Sequence, residues 1–242
     1  MKINVVDNYE EMSKEAARLV AAQIRLKPES IVGFATGSTP TGMYKELVKM
    51  YREEGLDFSK IVSFNLDEYY PIDPSSEQSY YFYMMNNLFN HINIEKDNIN
   101  IPDGKAPDVE VQCRQYEERI RRVGGIDLQV LGIGPNGHIG FNEPDLKFEA
   151  ETHIIDLDKK TIEANSRFFN SVDEVPKRAI TMGIKTIMHA RKIVLLANGS
   201  GKAEVIKEAI LGSIVPNLPA SILQLHQDVT IICDKEASKE LI

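Results

Sequence analysis

Short apolar runs that alternate with amphipathic segments constrain the fold of this chain more than any other feature. Each run suits a buried strand and is too short for a helix; the runs cover residues 31–35, 61–66, 128–133, 193–197 and 229–232. Between them, apolar residues recur at helical spacing in segments such as 8–25 and 108–123. This alternation predicts an α/β fold with a doubly wound, mostly parallel sheet and helices on both faces, a modified Rossmann-like arrangement.

Composition narrows the class of protein further. The chain has 242 residues, of which 43% are hydrophobic and 26% charged, so it can bury a sizeable core and is not a disordered chain. Its 36 acidic and 28 basic residues give a formal net charge of -8, whereas proteins that bind duplex nucleic acid usually carry the opposite balance. From this acidic charge we expect no nucleic-acid partner. Because no repeat, low-complexity tract or linker interrupts the sequence, we expect a single domain over residues 1–242.

The cysteines and the N-terminus indicate the compartment. Cys113 and Cys233 lie far apart with no Cys/His cluster near either, which predicts neither a disulfide framework nor a structural zinc site. Charged residues close to the N-terminus interrupt any signal-peptide apolar region, and no window approaches the roughly 18 apolar residues of a membrane span. We therefore expect a cytoplasmic protein without a membrane partner.

Ligands of such sheets gather at the carboxyl ends of the strands, so the residues after each strand carry the functional argument. After the first apolar run, Gly37 permits close backbone approach, Thr39 can cap the following helix and Pro40 suits its first position. This segment predicts an anion cradle, with an ordinary capped turn as the alternative. After the second run, Asp67 or Glu68 could act as a general base, or could instead cap a helix or face water.

The segment 131–144 is the densest in candidate chemistry. Its three glycines, together with a later acid, match the dinucleotide-binding fingerprint literally, at Gly132, Gly134, Gly137 and Asp156. That fingerprint requires a helix to start at its last glycines, but Gly140 and Pro144 interrupt the following residues, so we do not expect NAD binding.

The alternative for this segment is a glycine-rich catalytic loop. It carries Asn136, His138 and Glu143, which can relay and orient protons. His138 and Glu143 alone offer too few ligands for a metal, so we expect no metal and no cofactor.

Four segments together resemble the glucosamine-6-phosphate deaminase family. They are Ala35-Thr36-Gly37-Ser38-Thr39-Pro40, Asn65-Leu66-Asp67-Glu68-Tyr69, the run from Gly132 to Pro144, and Ala164-Asn165-Ser166-Arg167-Phe168-Phe169. The resemblance implies conversion of glucosamine 6-phosphate to fructose 6-phosphate and ammonia, with no redox cofactor or catalytic metal. The 6-phosphogluconolactonases share parts of the first and third segments, so a sugar-phosphate lactone hydrolase is the alternative.

The resemblance also implies roles for individual residues. Asp67 would take the C2 proton of the open-chain sugar and return it to C1, and His138 would serve ring opening. Glu143 would hold and tune His138. Asn136 stands where well-known members carry an aspartate, and we expect it to orient the imidazole through a hydrogen bond.

The remaining implied features concern the phosphate and regulation. Gly37, Ser38 and Thr39 would hold the phosphate together with Arg167 and Lys202. The segment from about 157 to 176 is a candidate lid. Longer members carry basic residues at an effector site, whereas residues 151–155 here read Glu-Thr-His-Ile-Ile. We therefore expect a non-allosteric enzyme, either a monomer or a low-order homo-oligomer.

Two functions of other classes are disfavoured by the sequence. A non-catalytic sugar-phosphate sensor would need a separate DNA-binding module, for which the chain has neither spare length nor a basic segment. A nicotinamide-dependent dehydrogenase would need a functional dinucleotide-binding fingerprint, and the residues after its last glycine do not suit the helix that the fingerprint requires.

Overall fold

The computed structural model describes residues 1–169 and 171–241 of the chain. Ten strands are present in this part: β1 (Lys2–Val6), β2 (Ile31–Phe34), β3 (Val62–Asn65), β4 (Asp67–Tyr70), β5 (Ile99–Asn100), β6 (Leu128–Gly132), β7 (His153–Asp156), β8 (Arg178–Thr181), β9 (Lys192–Ala197) and β10 (Val229–Asp234). Eight α-helices accompany them: α1 (Tyr9–Leu26), α2 (Thr41–Glu54), α3 (Tyr80–Asn87), α4 (Val109–Arg122), α5 (Lys159–Asn165), α6 (Ile184–Met188), α7 (Ala203–Leu211) and α8 (Lys235–Ser238).

The seven strands of the main sheet are all parallel and run in the order β1-β10-β9-β6-β2-β3-β5. From β2 the chain proceeds outward through β3 to β5, and from β6 it proceeds in the opposite direction through β9 to β10. The neighbouring strands β2 and β6 therefore flank the point where the strand order reverses, which is where doubly wound sheets bind ligands. The predicted fold class is confirmed.

Buried side chains alternate between the two faces of this sheet. Val32 and Val194 pack against α1, α2 and α3, whereas Ile31 and Leu195 pack against α4, α6 and α7 on the other side. Because both faces are covered, the central strands are apolar at most positions, with Ser63 and Gln129 as buried polar exceptions, which explains the apolar runs in the sequence.

Helix ends follow the sequence signals in most places. Asn8 accepts a hydrogen bond from the Glu11 N–H at the start of α1, and Ser79 accepts one from the Phe82 N–H at the start of α3. Gly55 ends α2 in the left-handed conformation.

The start of α2 differs from the prediction. The helix begins at Thr41, with Pro40 at the cap position and no side-chain cap bond, so the expectations that Thr39 caps it and that Pro40 is its first residue were wrong. The hydroxyl of Thr41 instead donates to the carbonyl of Gly37. The side chain at position 39 is therefore not used to satisfy the helix.

A second, three-stranded antiparallel sheet in the order β4-β8-β7 was not predicted. It joins the main sheet through a hydrogen bond from the Met182 N–H to the Leu66 carbonyl. Asp67 and Glu68 lie in strand β4 of this sheet, so neither occupies a solvated loop.

Both cysteines, Cys113 and Cys233, are buried thiols. Among the helices within residues 1–169 and 171–241, none combines the length and the apolar character that a membrane crossing requires.

Candidate functional site

A cavity of about 500 Å³ opens at the carboxyl ends of β2, β6 and β9, at the reversal of strand order. Seven of the nine predicted site residues line it: Gly37, Ser38, Thr39, Asp67, His138, Arg167 and Lys202. The other two, Asn136 and Glu143, are not part of the lining, and Glu143 lies against the imidazole of His138. Residues as far apart in the sequence as Gly37 and Lys202 thus line one cavity, with a carboxyl and an imidazole on its walls.

Asp67 is the most strongly perturbed acid of the site. It is only 5% exposed, and its Oδ1 has no hydrogen-bond partner within the described residues. Burial, followed by the neighbouring Glu68 carboxyl, raises the pKa of Asp67 to about 8, while a hydrogen bond from Thr36 acts in the opposite direction. A carboxylate in this position is poorly solvated and is therefore a stronger base than an exposed aspartate.

Glu68 is buried beside Asp67 but serves a different purpose. Its carboxylate accepts hydrogen bonds from the backbone N–H groups of Tyr69, Tyr80 and Tyr81, each at 2.9 Å. Burial raises the pKa of Glu68 to about 7 although these donors favour the ionised form. Of the two sequence alternatives for Glu68, base or cap, the structure shows the cap.

His138 is held by an acid behind it. Its Nδ1 lies 3.2 Å from Oε2 of Glu143 and 3.4 Å from the hydroxyl of Thr161. An ionised carboxylate only accepts, so Nδ1 carries the proton in this pair and Nε2 remains for a ligand. A Cβ at Gly134 would lie 2.3 Å from Nε2 of His138, so glycine is required for the ring to occupy this position.

The carboxyl of Glu143 stays ionised in spite of its surroundings. Burial alone would raise its pKa, but the hydrogen bond and charge of His138, with further hydrogen bonds from Thr161 and Asn136, bring the pKa below its usual value. The Nδ2 group of Asn136 donates to Oε2 of Glu143 at 2.7 Å, and its Oδ1 accepts from the backbone N–H of His138 at 3.3 Å. The expectation that Asn136 bonds the imidazole was wrong: it orients the carboxylate that holds the ring.

The opposite end of the cavity is cationic. Nη2 of Arg167 lies 3.4 Å from the hydroxyl of Ser38, and Lys202 occupies the position before α7, which begins at Ala203. Burial, and then the positive charge of Arg167, lowers the pKa of Lys202 to about 8. Two cations at one wall are stabilised by an anion between them, so this end suits a phosphate.

The glycine fingerprint does not start a helix. The Gly134 N–H instead donates to the His138 carbonyl, and residues 133–152 contain no helix before β7. A dinucleotide pyrophosphate would need that helix N-terminus. In the part of the chain that the structure describes, no three His, Cys, Asp or Glu side chains gather as a metal ion would require.

Comparison with known proteins agrees with this geometry. The model of a protein family, described as glucosamine-6-phosphate isomerases/6-phosphogluconolactonase, matches residues 7–232. The chain belongs to this family.

Individual members of the glucosamine-6-phosphate isomerase/6-phosphogluconolactonase family are similar over the whole chain. A glucosamine-6-phosphate deaminase of Clostridium botulinum (strain Langeland) is 61% identical over 100% of this chain and 99% of its own length. One from Clostridium novyi is 60% identical, with complete coverage of both chains. A solved structure of a monomeric glucosamine-6-phosphate deaminase is 44% identical, with a TM-score of 0.97 over 99% of this chain and 100% of its own.

The lactonase branch of the family is more distant. A 6-phosphogluconolactonase structure from Leishmania guyanensis has a TM-score of 0.80 over 100% of this chain and 98% of its own, at 19% identity. At this level of identity the likeness shows a common fold only.

Sequence reasoning missed several residues that line the cavity of this family member. Thr161 is 2% exposed and reaches His138 from α5, and Tyr80 stacks on Phe141 with 13° between the ring planes. Tyr80 could have been identified from its position directly after Ser79, the residue that caps the start of α3. For Thr161 the sequence offered none, because its partner is 23 positions away on a loop without regular structure.

Proposed function

We propose that the chain is a glucosamine-6-phosphate deaminase, which converts glucosamine 6-phosphate and water to fructose 6-phosphate and ammonia. One observation carries the proposal: a glucosamine-6-phosphate deaminase is 61% identical over the whole chain, and one cavity of this chain brings together a desolvated aspartate, a histidine with its glutamate, and a cationic end. The assignments of individual residues below are part of the proposal.

The phosphate of the sugar binds at the cationic end. Arg167 offers a planar fork to two phosphate oxygens, and Lys202 adds a point charge at the start of α7, where the helix dipole also favours an anion. Ser38 lies beside Arg167 and donates its hydroxyl. Because the phosphate does not react, its binding energy is used to position C1 and C2 of the sugar near Asp67 and His138.

Ring opening is the task of His138. With Nδ1 protonated and bonded to Glu143, Nε2 accepts the proton of the anomeric hydroxyl and delivers a proton to the ring oxygen. The bond from C1 to the ring oxygen breaks, and the open-chain aldehyde forms. Asn136 and Thr161 keep the carboxylate of Glu143 in place while the imidazole changes charge.

Isomerisation is the task of Asp67. Its carboxylate removes the proton from C2, and the electron pair forms the C1–C2 double bond while the π bond of the C1 aldehyde breaks. The aldehyde oxygen takes a proton from the substrate ammonium group, which gives an enolamine, and the Asp67 carboxyl then protonates C1. The resulting imine at C2 is hydrolysed by water, which releases ammonia and leaves the ketose. A buried aspartate with a pKa of about 8 suits this step, since the ammonium group of the substrate also favours the charged, basic form of the carboxyl.

The decisive test is product formation by the purified chain. Incubated with glucosamine 6-phosphate, a chelator and no nicotinamide, it should release ammonia and fructose 6-phosphate in equal amounts. With 6-phosphogluconolactone as a parallel substrate, hydrolysis should not exceed the buffer rate. No turnover of the amino sugar together with rapid hydrolysis of the lactone would show that the chain is a lactone hydrolase and would contradict the proposed role of Asp67.

We further infer that the enzyme acts as a monomer in the cytoplasm. The solved deaminase structure that shares 44% of its sequence is described as monomeric, and phosphorylated sugars are charged metabolites that membranes retain inside cells. The segment 157–176, of which residue 170 lies outside the described residues, carries Arg167 and Thr161 and is proposed as a lid over the bound sugar.

A further inference from the structure

Three tyrosine hydroxyls hold the backbone of the loop that follows β2. Tyr83 on α3 donates to the carbonyl of Gly37 at 2.7 Å, and Tyr9 on α1 donates to the carbonyl of Ser38 at 3.0 Å. Tyr44 on α2 donates to the carbonyl of Ala35. Each of three helices on the same face of the sheet thus contributes one hydroxyl to one peptide group of residues 35–39.

The direction of these bonds fixes the direction of the opposite peptide atoms. In a trans peptide the carbonyl of one residue and the N–H of the next lie in one plane and point in opposite directions, and the peptide bonds of residues 35–39 are trans. The carbonyls of Gly37 and Ser38 face the tyrosines, so the N–H groups of Ser38 and Thr39 face away from them.

The side away from the tyrosines is the cavity. Thr36, Ser38 and Thr39 line it, whereas the three tyrosines lie outside its described lining. Within the residues that the structure describes, the N–H groups of Ser38 and Thr39 donate to no protein acceptor. Two successive N–H groups on the same wall as Arg167 and Lys202 form an anion-binding concavity.

The positions of two hydroxyls are fixed by additional bonds. The Tyr9 oxygen also accepts the Gly42 N–H at 2.8 Å, so its proton is directed to the Ser38 carbonyl. The Tyr83 oxygen lies 2.9 Å from the Thr41 hydroxyl, whose single proton is directed either to this oxygen or to the Gly37 carbonyl at 3.1 Å. A Cβ at Gly42 would lie 3.1 Å from the Tyr9 ring and 2.2 Å from the Ser13 hydroxyl, so glycine allows this approach.

We propose that Tyr9 and Tyr83 are positioning residues for phosphate recognition: by binding the carbonyls of Ser38 and Gly37 from behind, they turn the N–H groups of Thr39 and Ser38 toward the phosphate of the substrate. This inference rests on the proposed function for the identity of the ligand. Tyr44 acts in the same way on the Ala35–Thr36 peptide, but it is fully buried in the core and is less suited to substitution.

The test removes one hydroxyl at a time and measures anion binding without turnover. Tyr9→Phe and Tyr83→Phe are titrated with inorganic phosphate while the amide signals of residues 36–39 are followed by NMR. Each variant should bind phosphate about 3- to 10-fold more weakly, the range expected for loss of one hydrogen bond. The phosphate-induced shift of the Thr39 amide should fall selectively in Tyr9→Phe, and that of the Ser38 amide in Tyr83→Phe.

Tyr70→Phe is the matched control. Tyr70 is half-buried like Tyr9 and Tyr83, and its hydroxyl also donates to a backbone carbonyl, that of Ala106 at 3.0 Å, but it does not line the cavity. It should lose a similar amount of stability and keep the parental affinity for phosphate. Parental affinity in both Tyr9→Phe and Tyr83→Phe, or an equal loss in Tyr70→Phe, would overturn the proposal.

Turnover separates this inference from the proposed function. With glucosamine 6-phosphate, Tyr9→Phe and Tyr83→Phe should raise KM about 3- to 10-fold and leave kcat within about twofold, because the phosphate is remote from the reacting atoms. If the parental chain fails to turn over the amino sugar, the proposed function fails. The phosphate titration still decides the role of the tyrosines in that case.

Discussion

Individual residues of the site were predictable where a short motif carried them, and not where a side chain reached across the fold. Asp67 and His138 lie soon after β3 and β6, so the rule for carboxyl ends of parallel strands found them, whereas Lys202 came from the family resemblance. Asn136 was placed in the site but given the wrong partner, because sequence spacing does not give side-chain direction. Thr161 reaches His138 from a helix that no local signal connects to the glycine loop.

Replacement of Asp67 tests the assigned base. Asp67→Asn keeps the size of the side chain but cannot accept the C2 proton, so kcat should fall by about 10²- to 10⁴-fold while KM changes little. Steady-state kinetics with glucosamine 6-phosphate measures both constants. Turnover close to that of the parental chain would remove Asp67 from this role.

Lys202 should act on binding and not on chemistry. Lys202→Ala removes a charged contact with the unreacting phosphate, so KM should rise by at least about tenfold with kcat largely kept. Lys185→Ala is a suitable control, since Lys185 is an exposed lysine outside the cavity whose partner is Glu151. An unchanged KM in Lys202→Ala would contradict the phosphate assignment.

The pKa values of these two residues predict the pH dependence of kcat/KM. Asp67 must be ionised to act as a base, so with a pKa of about 8 the rate should rise as the pH approaches 8 from below. Lys202 must be protonated to hold the phosphate, so its pKa of about 8 should weaken binding above that pH. The profile of the parental chain should therefore peak near pH 8, and Lys202→Ala should lose most of the alkaline decline. A flat profile from pH 6 to 10 would contradict both assignments.

At the scale of elements, the apolar strands were predictable and the second sheet was not. Strands β2, β3, β6, β9 and β10 are largely buried on both faces, which leaves a mostly apolar run in the sequence. Strands β4, β7 and β8 have four residues each and contain charged side chains, and they become strands only by pairing with one another. Long-range pairing of this kind leaves no local pattern.

The start of α3 shows how one element depends on another. Glu68 on β4 accepts the N–H groups of Tyr80 and Tyr81, and Ser79 accepts that of Phe82, so the first three donors of the helix are all bonded. The same helix carries Tyr80 into the cavity and Tyr83 to the loop after β2.

Loss of the Glu68 acceptor should therefore destabilise the protein. Glu68→Gln directs an amide N–H₂ group toward backbone donors, and we expect the free energy of unfolding to fall by about 1–3 kcal/mol. Chemical denaturation measures this, with Glu77→Gln as an exposed control that should stay within about 0.5 kcal/mol of the parental chain. Equal stability of Glu68→Gln and Glu77→Gln would show that Glu68 does not hold α3.

At the scale of the whole molecule, the position of the cavity follows from the strand order. Strands β2 and β6 are neighbours although about 97 positions separate their first residues, and the chain leaves them in opposite directions. The loops after these two strands diverge and leave a cavity between them, which is lined by Asp67, His138 and the residues proposed to bind the phosphate. This location could be predicted from the fold class, but its shape could not, because the second sheet supplies one wall.

Oligomeric state is the prediction that belongs to the complete molecule. Analytical ultracentrifugation should give a single species near the chain mass of 27.3 kDa. Substrate saturation should be hyperbolic and unaffected by N-acetylglucosamine 6-phosphate, the effector that the family resemblance implies for longer members, because residues 151–155 contain no Lys or Arg for an effector site. A sigmoidal curve, or a larger species that dissociates on dilution, would contradict the expectation of a non-allosteric monomer.

The place of β10 in the main sheet bears on how the protein is made. β10 lies between β1 and β9, so β1, which is synthesised before the other strands of the sheet, has no strand to pair with until residues 229–234 have been made. The cavity-lining residues, the last of which is Lys202, precede that point. A nascent chain that has completed its site residues therefore still exposes the edge of β9, and a truncation before Val229 would leave that edge open to pairing with other chains.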